Sequence, residues 1–259
     1  MKIDSYSIMP GAESLFYPGN EIGVLISHGF NGTPQSMRYI AEKISEAGYT
    51  VSVPRLKGHG TSHQEMEECS YTDWIDSLET AYNQLSMSCL SIFIMGQSMG
   101  GTLAIDLASR RKVDGVITLN AAFEVPGYEQ YKHVATPRFI EEGEPDINDR
   151  NAMEITYTTV PLQSIKELLA LIEATKEKPS SVHCPIIFFH SPEDHVVPAK
   201  CSEDLYHSVT SRYKKIHALL NSYHVASLDF DKDFIVASSL QFIAAFADSQ
   251  NPPDQVIYS

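Results

Sequence analysis

The sequence predicts an α/β fold: a mostly parallel central sheet with helices on both faces. Three observations carry that prediction. Short, largely apolar runs recur along the 259 residues, at 23–27, 50–53, 91–95, 115–119, 185–190 and 215–220. Stretches with apolar residues at helical spacing separate them. Most of the runs lack polar alternation, which suits strands covered on both sides in a parallel sheet.

The elements follow in order. The run at 23–27 leads into His28-Gly29-Phe30-Asn31-Gly32. Thr33 then stands as an N-cap with Pro34 at the first helical position, where a missing N–H costs nothing. Met37, Ile40, Ala41 and Ile44 continue at helical spacing, and Gly48 closes that helix. A strand at 50–53 ends at Pro54 and the loop Arg55-Leu56-Lys57-Gly58-His59-Gly60. Thr72 is expected to cap a helix that turns Trp74, Ile75, Leu78, Ala81, Tyr82 and Leu85 inward. A buried strand at 91–95 meets a helix at 101–108 across a glycine-rich turn, and a last helix is expected over 231–247.

One region breaks the rhythm. Residues 124–181 separate two strands by far more than one crossover helix needs. They carry Leu162, Ile165, Leu168, Leu169 and Ile172, a surplus of apolar residues on more than one helical face. The segment reads as a cap inserted over the carboxyl edge of the sheet and lining a greasy pocket. The expected organisation is a core of 1–123 and 182–248, a cap of 124–181 and a C-terminal tail of 249–259.

Composition narrows the function classes. Hydrophobic residues at 43% and charged residues at 20% fit an ordinary globular chain, long enough for one large domain. A formal net charge of −14 repels nucleic acid and anionic membrane surfaces alike. No basic run with interleaved aromatics appears, so a nucleic-acid partner is not expected. Cys69, Cys89, Cys184 and Cys201 are scattered, with no C-x-x-C and no histidine at ligand spacing. They read as free thiols, with neither a metal nor a cofactor implied. No export signal or apolar stretch of spanning length is evident, so a cytoplasmic protein without stable membrane insertion is expected. No pattern indicates an oligomeric state.

The chemistry is concentrated in Gly96-Gln97-Ser98-Met99-Gly100, a G-x-S-x-G. Alone, this pattern arises by chance in roughly one chain in ten of this length, and Ser98 could merely cap a helix. Its setting between an apolar strand and a helix makes it a nucleophile elbow, a tight turn that lifts a serine hydroxyl to the sheet edge. A serine is a poor nucleophile until a base takes its proton, and an imidazole does so near neutral pH. A carboxylate must then hold the imidazole and stabilise its charged form.

Asp194 follows the strand ending at His190, and His224 follows the strand expected at 215–220. The order Ser98, Asp194, His224 is the Ser…Asp/Glu…His order of α/β-hydrolases. Glu193 is the alternative acid, ranked below Asp194 because it lies nearer the strand's own turn. His195 is expected to face solvent or make a structural hydrogen bond. His28 and His59 read as loop-shaping residues, since neither follows the last strand. An oxyanion hole needs the N–H after the nucleophile, here Met99, and one from the loop after the early strand, here Phe30.

Five separated stretches share one resemblance: His28-Gly29-Phe30 with Gly32-Thr33-Pro34, Pro54 to Thr61, Ser98 to Thr102, Glu193 to Pro198, and Asn221 to Ala226. In that order they resemble the Bacillus-type monoacylglycerol lipase and carboxylesterase family of the α/β-hydrolase superfamily, over about 23–246. The resemblance implies a serine esterase with a small cap and a hydrophobic acyl channel, cleaving monoacylglycerols or short-to-medium-chain acyl esters through an acyl-enzyme. Ser98, Asp194 and His224 would be its triad, with Phe30 and Met99 as oxyanion donors. Glu154 resembles a cap residue that contacts the glycerol hydroxyls; a solvated helix charge is the alternative. Gln97 stands where a leucine is expected, which should alter the packing of the elbow. Residues 127–145 match the family poorly and are expected to border the pocket. Acyltransferase, thioesterase and peptidase chemistry would use the same triad, and a non-catalytic ligand-binding module on this fold is a further alternative.

Overall fold

The computed structural model describes residues 6–247, so the expected tail of 249–259 lies outside the described residues. The chain runs through β1 (Leu15–Tyr17), β2 (Ile22–Ser27), α1 (Pro34–Glu46), β3 (Thr50–Val53), α2 (His63–Glu67) and α3 (Tyr71–Leu85). It continues through β4 (Ser91–Gln97), α4 (Met99–Arg110), β5 (Gly115–Leu119), α5 (Pro126–Glu129), β6 (Phe139–Glu141), β7 (Thr159–Pro161) and α6 (Leu162–Thr175). It closes with β8 (Ile186–His190), α7 (Lys200–Ser208), β9 (Lys214–Ala218) and α8 (Lys232–Ala247).

Seven strands form one sheet in the order β1-β3-β2-β4-β5-β8-β9. All neighbours are parallel except the edge pair β1 and β3. This is the α/β-hydrolase arrangement. Strand order reverses between β2 and β4, so the loops leaving these two strands diverge and open a crevice at their carboxyl ends. The side chains alternate as a strand demands. Val24 and Ile26 of β2 join Phe93 and Met95 of β4 beneath α1 and α8. Leu25, Ile92 and Ile94 face the other way, toward α3 and α4. Trp74, Phe93, Phe188 and Phe189 are fully buried in these layers, each worth about 1.5–3 kcal/mol by transfer from water.

Thr33 and Pro34 open α1 as expected, and Gly48 takes a φ of +96° just past its end. The N-cap of α3 is Ser70 and not Thr72. The Ser70 N–H donates to Asp73 Oδ2 at 2.9 Å, so Asp73 caps from within the first turn. The last strand ends at Ala218, two residues before the expected Leu220, whose side chain is exposed where the chain turns away.

Residues 124–181 hold α5, α6 and a two-stranded antiparallel sheet of β6 and β7. Ile140 and Val160 of this hairpin pack with Leu162, Ile165 and Leu169 in a small satellite cluster. Leu168, Leu171 and Ile172 of α6 instead join the main cluster with Trp74 and Leu103. Much of the apolar surplus in this segment is therefore spent against α3 and α4. Among the described residues, no helix is long and apolar enough to cross a membrane.

Candidate active site

Ser98 sits between β4 and α4 with φ 55° and ψ −122°, a strained conformation for a residue with a side chain. The turn is held from both sides. The Ser98 N–H donates to Leu119 O at 2.8 Å, and Ser98 O accepts from Ala122 N–H at 3.1 Å. Such a turn tolerates no bulk: a Cβ on Gly96 would stand 2.0 Å from Gly100 O, and one on Gly100 would stand 2.4 Å from Ser27 O.

Two later loops bring their side chains to Ser98. The His224 ring Nε2 lies 2.9 Å from Ser98 Oγ, and its Nδ1 lies 2.7 Å from Asp194 Oδ2. A carboxylate only accepts, so Nδ1 carries the proton and Nε2 is free to accept from the serine hydroxyl. The other Asp194 oxygen accepts the N–H groups of Val196 at 2.8 Å and Val197 at 2.7 Å. Glu193 makes no comparable contact with His224. Burial pulls the His224 pKa down, but the Asp194 carboxylate, with Asp146 and Glu154 behind it, more than offsets this and leaves it raised.

Phe30 and Met99 flank the serine. Met99 is the first residue of α4, where a helix leaves its N–H outside the ladder. Gly29 brings the loop after β2 against Ser98, with its Cβ position 3.2 Å from Ser98 Cβ. The Phe30 ring packs edge-on to Trp74 and Tyr128, at centroid distances of 6.0 and 5.9 Å. His28 supports this loop: its Nδ1 lies 2.9 Å from Gly29 O and its Nε2 accepts Leu56 N–H at 3.2 Å. Burial pushes the His28 pKa down to about 4 and that of His59 well below its ordinary value. Both rings are neutral loop-shaping groups, as expected.

Glu154 lies in an extended stretch pinned on either side. Gln35 donates to Met153 O at 2.8 Å and accepts Ile155 N–H at 3.0 Å. The Asn31 amide exchanges two hydrogen bonds with the Tyr157 backbone, at 2.9 and 3.0 Å. The Glu154 carboxylate is thereby turned inward beneath Gly32, whose Cβ position is 2.7 Å from Glu154 Oε1. It is not a solvated helix charge. Burial raises its pKa to about 7, against the opposing pull of His224 and the Ser36 hydroxyl.

Phe30, Ser98, Glu154 and His224 line a cavity of about 370 Å³. Phe30, Val125, Tyr128, Ile140 and Leu168 form an apolar wall; of the segment 127–145, Gly127, Tyr128, Tyr131 and residues 140–145 line the cavity. The cavity is less greasy than its expected form, because Glu141, Glu142, Glu144 and Asp146 also line it. Burial raises the Glu142 pKa, against the opposing pull of the Tyr128 hydroxyl, which donates to it at 2.6 Å.

Several supporting residues carry no signature in the sequence. Asn120, with φ 46°, donates from Nδ2 to Ser191 Oγ, Tyr223 O and His224 O at 3.1, 3.2 and 2.9 Å, and accepts Ser191 N–H at 2.7 Å. One side chain thus ties the end of β5 to the Asp194 and His224 loops. Asp146 accepts the N–H groups of His195 at 3.0 Å and His224 at 3.2 Å, and its other oxygen pairs with the His195 ring at 2.8 Å. Buried Asp229 accepts from the backbone of Asn148, Asp149, Tyr223 and Phe230. Gln97, only 2% exposed, accepts Ser227 N–H at 3.0 Å through Oε1. A leucine could not make that bond. Its value as a signal lay in the departure itself.

All four cysteines are unpaired. Among the described residues, no group of three or more His, Cys, Asp or Glu side chains is placed to hold a metal ion.

Residues 20–142 and 144–231 match the family described as serine aminopeptidase, S33. The chain is 39% identical over 247 residues to a thermostable monoacylglycerol lipase of Bacillus sp. (strain H-257), covering 94% of this chain and 99% of that one. It is 24% identical over 233 residues to a carboxylesterase of Bacillus subtilis (strain 168), covering 88% and 94%. Among solved structures, it superposes with a TM-score of 0.89 and 38% identity on one reported under LipS and LipT, two metagenome-derived lipolytic enzymes. That superposition covers 92% of this chain and 99% of the other.

Proposed function

The chain belongs to the serine aminopeptidase S33 family of α/β-hydrolases and is a carboxylic ester hydrolase; on that premise we propose that Ser98 is its nucleophile, His224 its general base and Asp194 the acid that orients the base. The observation that supports this reading most is the run of contacts Ser98–His224–Asp194, at 2.9 and 2.7 Å, with Ser98 and His224 lining the cavity.

Ser98 Oγ attacks the ester carbonyl while His224 Nε2 takes its proton. Asp194 stabilises the resulting imidazolium. The oxyanion forms against the N–H groups of Phe30 and Met99. Collapse breaks the ester C–O bond, and the alcohol leaves with the proton from His224. Water, deprotonated by His224, then cleaves the acyl-enzyme and regenerates the serine.

The proposed substrates are monoacylglycerols or short-to-medium-chain acyl esters. The acyl chain lies along Phe30, Tyr128, Ile140 and Leu168, and the inward Glu154 carboxylate accepts hydrogen bonds from the glycerol hydroxyls. Residues 124–181 act as the cap over this site. A cytoplasmic location is part of the same reading and agrees with the unpaired thiols.

Ser98→Ala should lower kcat on p-nitrophenyl esters by on the order of 10⁶, as nucleophile removal does in a comparable triad. A fluorophosphonate probe should label the unmodified protein at Ser98. Near-native turnover by the alanine variant would reject the assignment. Including an aminoacyl p-nitroanilide among the substrates tests peptidase chemistry directly, with no turnover expected.

A further inference from the structure

We infer that Gln97 is a specificity-determining residue whose side-chain amide donates a hydrogen bond to a hydroxyl of the substrate's alcohol group, selecting esters of a polyhydroxy alcohol. This rests on the ester-hydrolase reading of Ser98 and deepens it.

The orientation of the amide follows from its partner. The Ser227 N–H can only donate, so the oxygen of Gln97 must face it at 3.0 Å. The Nε2 group is the end left over. It has no acceptor among the described residues, yet it is not one of the unpartnered polar atoms sealed in the interior. Gln97 is otherwise buried and lines the cavity, so this end opens into the cavity.

The position of the amide then identifies the group it meets. Ser227 lies three residues beyond His224, which places Gln97 on the His224 side of the nucleophile. His224 Nε2 returns its proton to the departing alcohol, so the alcohol occupies that side. Glu154 is there too, close enough for its charge to act on His224. A donor at Gln97 and an acceptor at Glu154 suit vicinal hydroxyls, each of which can accept and donate. On the apolar wall the Tyr128 hydroxyl is already committed to Glu142. A leucine at position 97 would fill similar space and provide no donor.

The test compares two esters of one acyl chain, monooctanoylglycerol and propyl octanoate, which differ only in hydroxyls on the alcohol. The kcat/KM of each is measured for the unmodified enzyme, Gln97→Leu and Gln97→Met. The ratio of glycerol ester to propyl ester should fall about 3- to 10-fold in both variants, the size of one neutral hydrogen bond, mainly through KM. The ratio is taken within one preparation, so partial loss of folded protein cancels. The methionine variant keeps an unbranched side chain if leucine packs poorly. A ratio unchanged in either active variant overturns the inference while leaving the ester-hydrolase reading intact. An unmodified enzyme inert toward both esters would instead overturn that reading.

Discussion

Three carboxylates set the protonation of His224. Burial lowers its pKa, and Asp194, Asp146 and Glu154 together raise it above the ordinary 6.5. As the proposed general base, His224 must be neutral to act. Activity is therefore full above the raised pKa and is lost as pH falls through it, so the acid limb of kcat/KM should lie above 6.5. Glu154 itself titrates at about 7, so the limb belongs to the pair. Glu154→Gln removes one negative charge and should move the limb to lower pH on a propyl ester; an unmoved limb would remove Glu154 from the electrostatics of the base. Asn120→Ala strands Ser191 N–H and frees two loops that must register within an ångström. Its kcat should fall about 10- to 100-fold, with a stability loss of about 2–3 kcal/mol by denaturant titration. A variant with lowered stability and native kcat would make Asn120 purely structural. The residues of the proposed triad could be singled out because chain order and strand ends constrain them. Asn120, Asp146 and Asp229 were not, because their work is to accept or donate bonds to backbone groups far along the chain, which leaves no spacing to read.

Elements differ in how tightly they abut the elbow, and two glycines separate the consequences. Gly100 of α4 touches the end of β2, where a Cβ would stand 2.4 Å from Ser27 O and 2.7 Å from His28 O. Gly100→Ala should force strand and helix apart and cost more than about 3 kcal/mol, seen as a large fall in Tm. Gly29 is less tightly enclosed, its Cβ position lying 3.2 Å from Ser98 Cβ and 3.5 Å from Gln97 O. Gly29→Ala should lose no more than about 1 kcal/mol of stability yet displace the proposed oxyanion loop and lower kcat at least about 10-fold. Equal Tm losses in both variants would contradict this division. The interior strands β2, β4, β5 and β8 were readable as apolar runs bounded by turn residues. β1, β6 and β7 were not, being three residues each, too short for alternation to show. α2 is five residues capped by Ser62 and carries no apolar stripe.

At the scale of the whole molecule, charge governs the approach to lipid. The net charge of −14 should make turnover of monoacylglycerol slower in anionic mixed micelles than in neutral ones at low ionic strength. The gap should close as salt is raised past about 0.15 M, where the screening length is roughly 8 Å. Equal rates at low salt would show that the docking face does not share the overall charge. The α/β class and the sheet's carboxyl edge were legible from the alternation of runs, whereas the way residues 124–181 divide between packing and pocket was not. That segment is also stitched to the loop bearing His224. Asp146 receives the His224 N–H, and Asp229 gathers Asn148, Asp149 and Tyr223. Recombination should respect that stitching: a chimera joined at residues 124 and 181 would inherit mismatched halves, whereas one that also carries residues 221–231 would bring the two together as a single heritable unit.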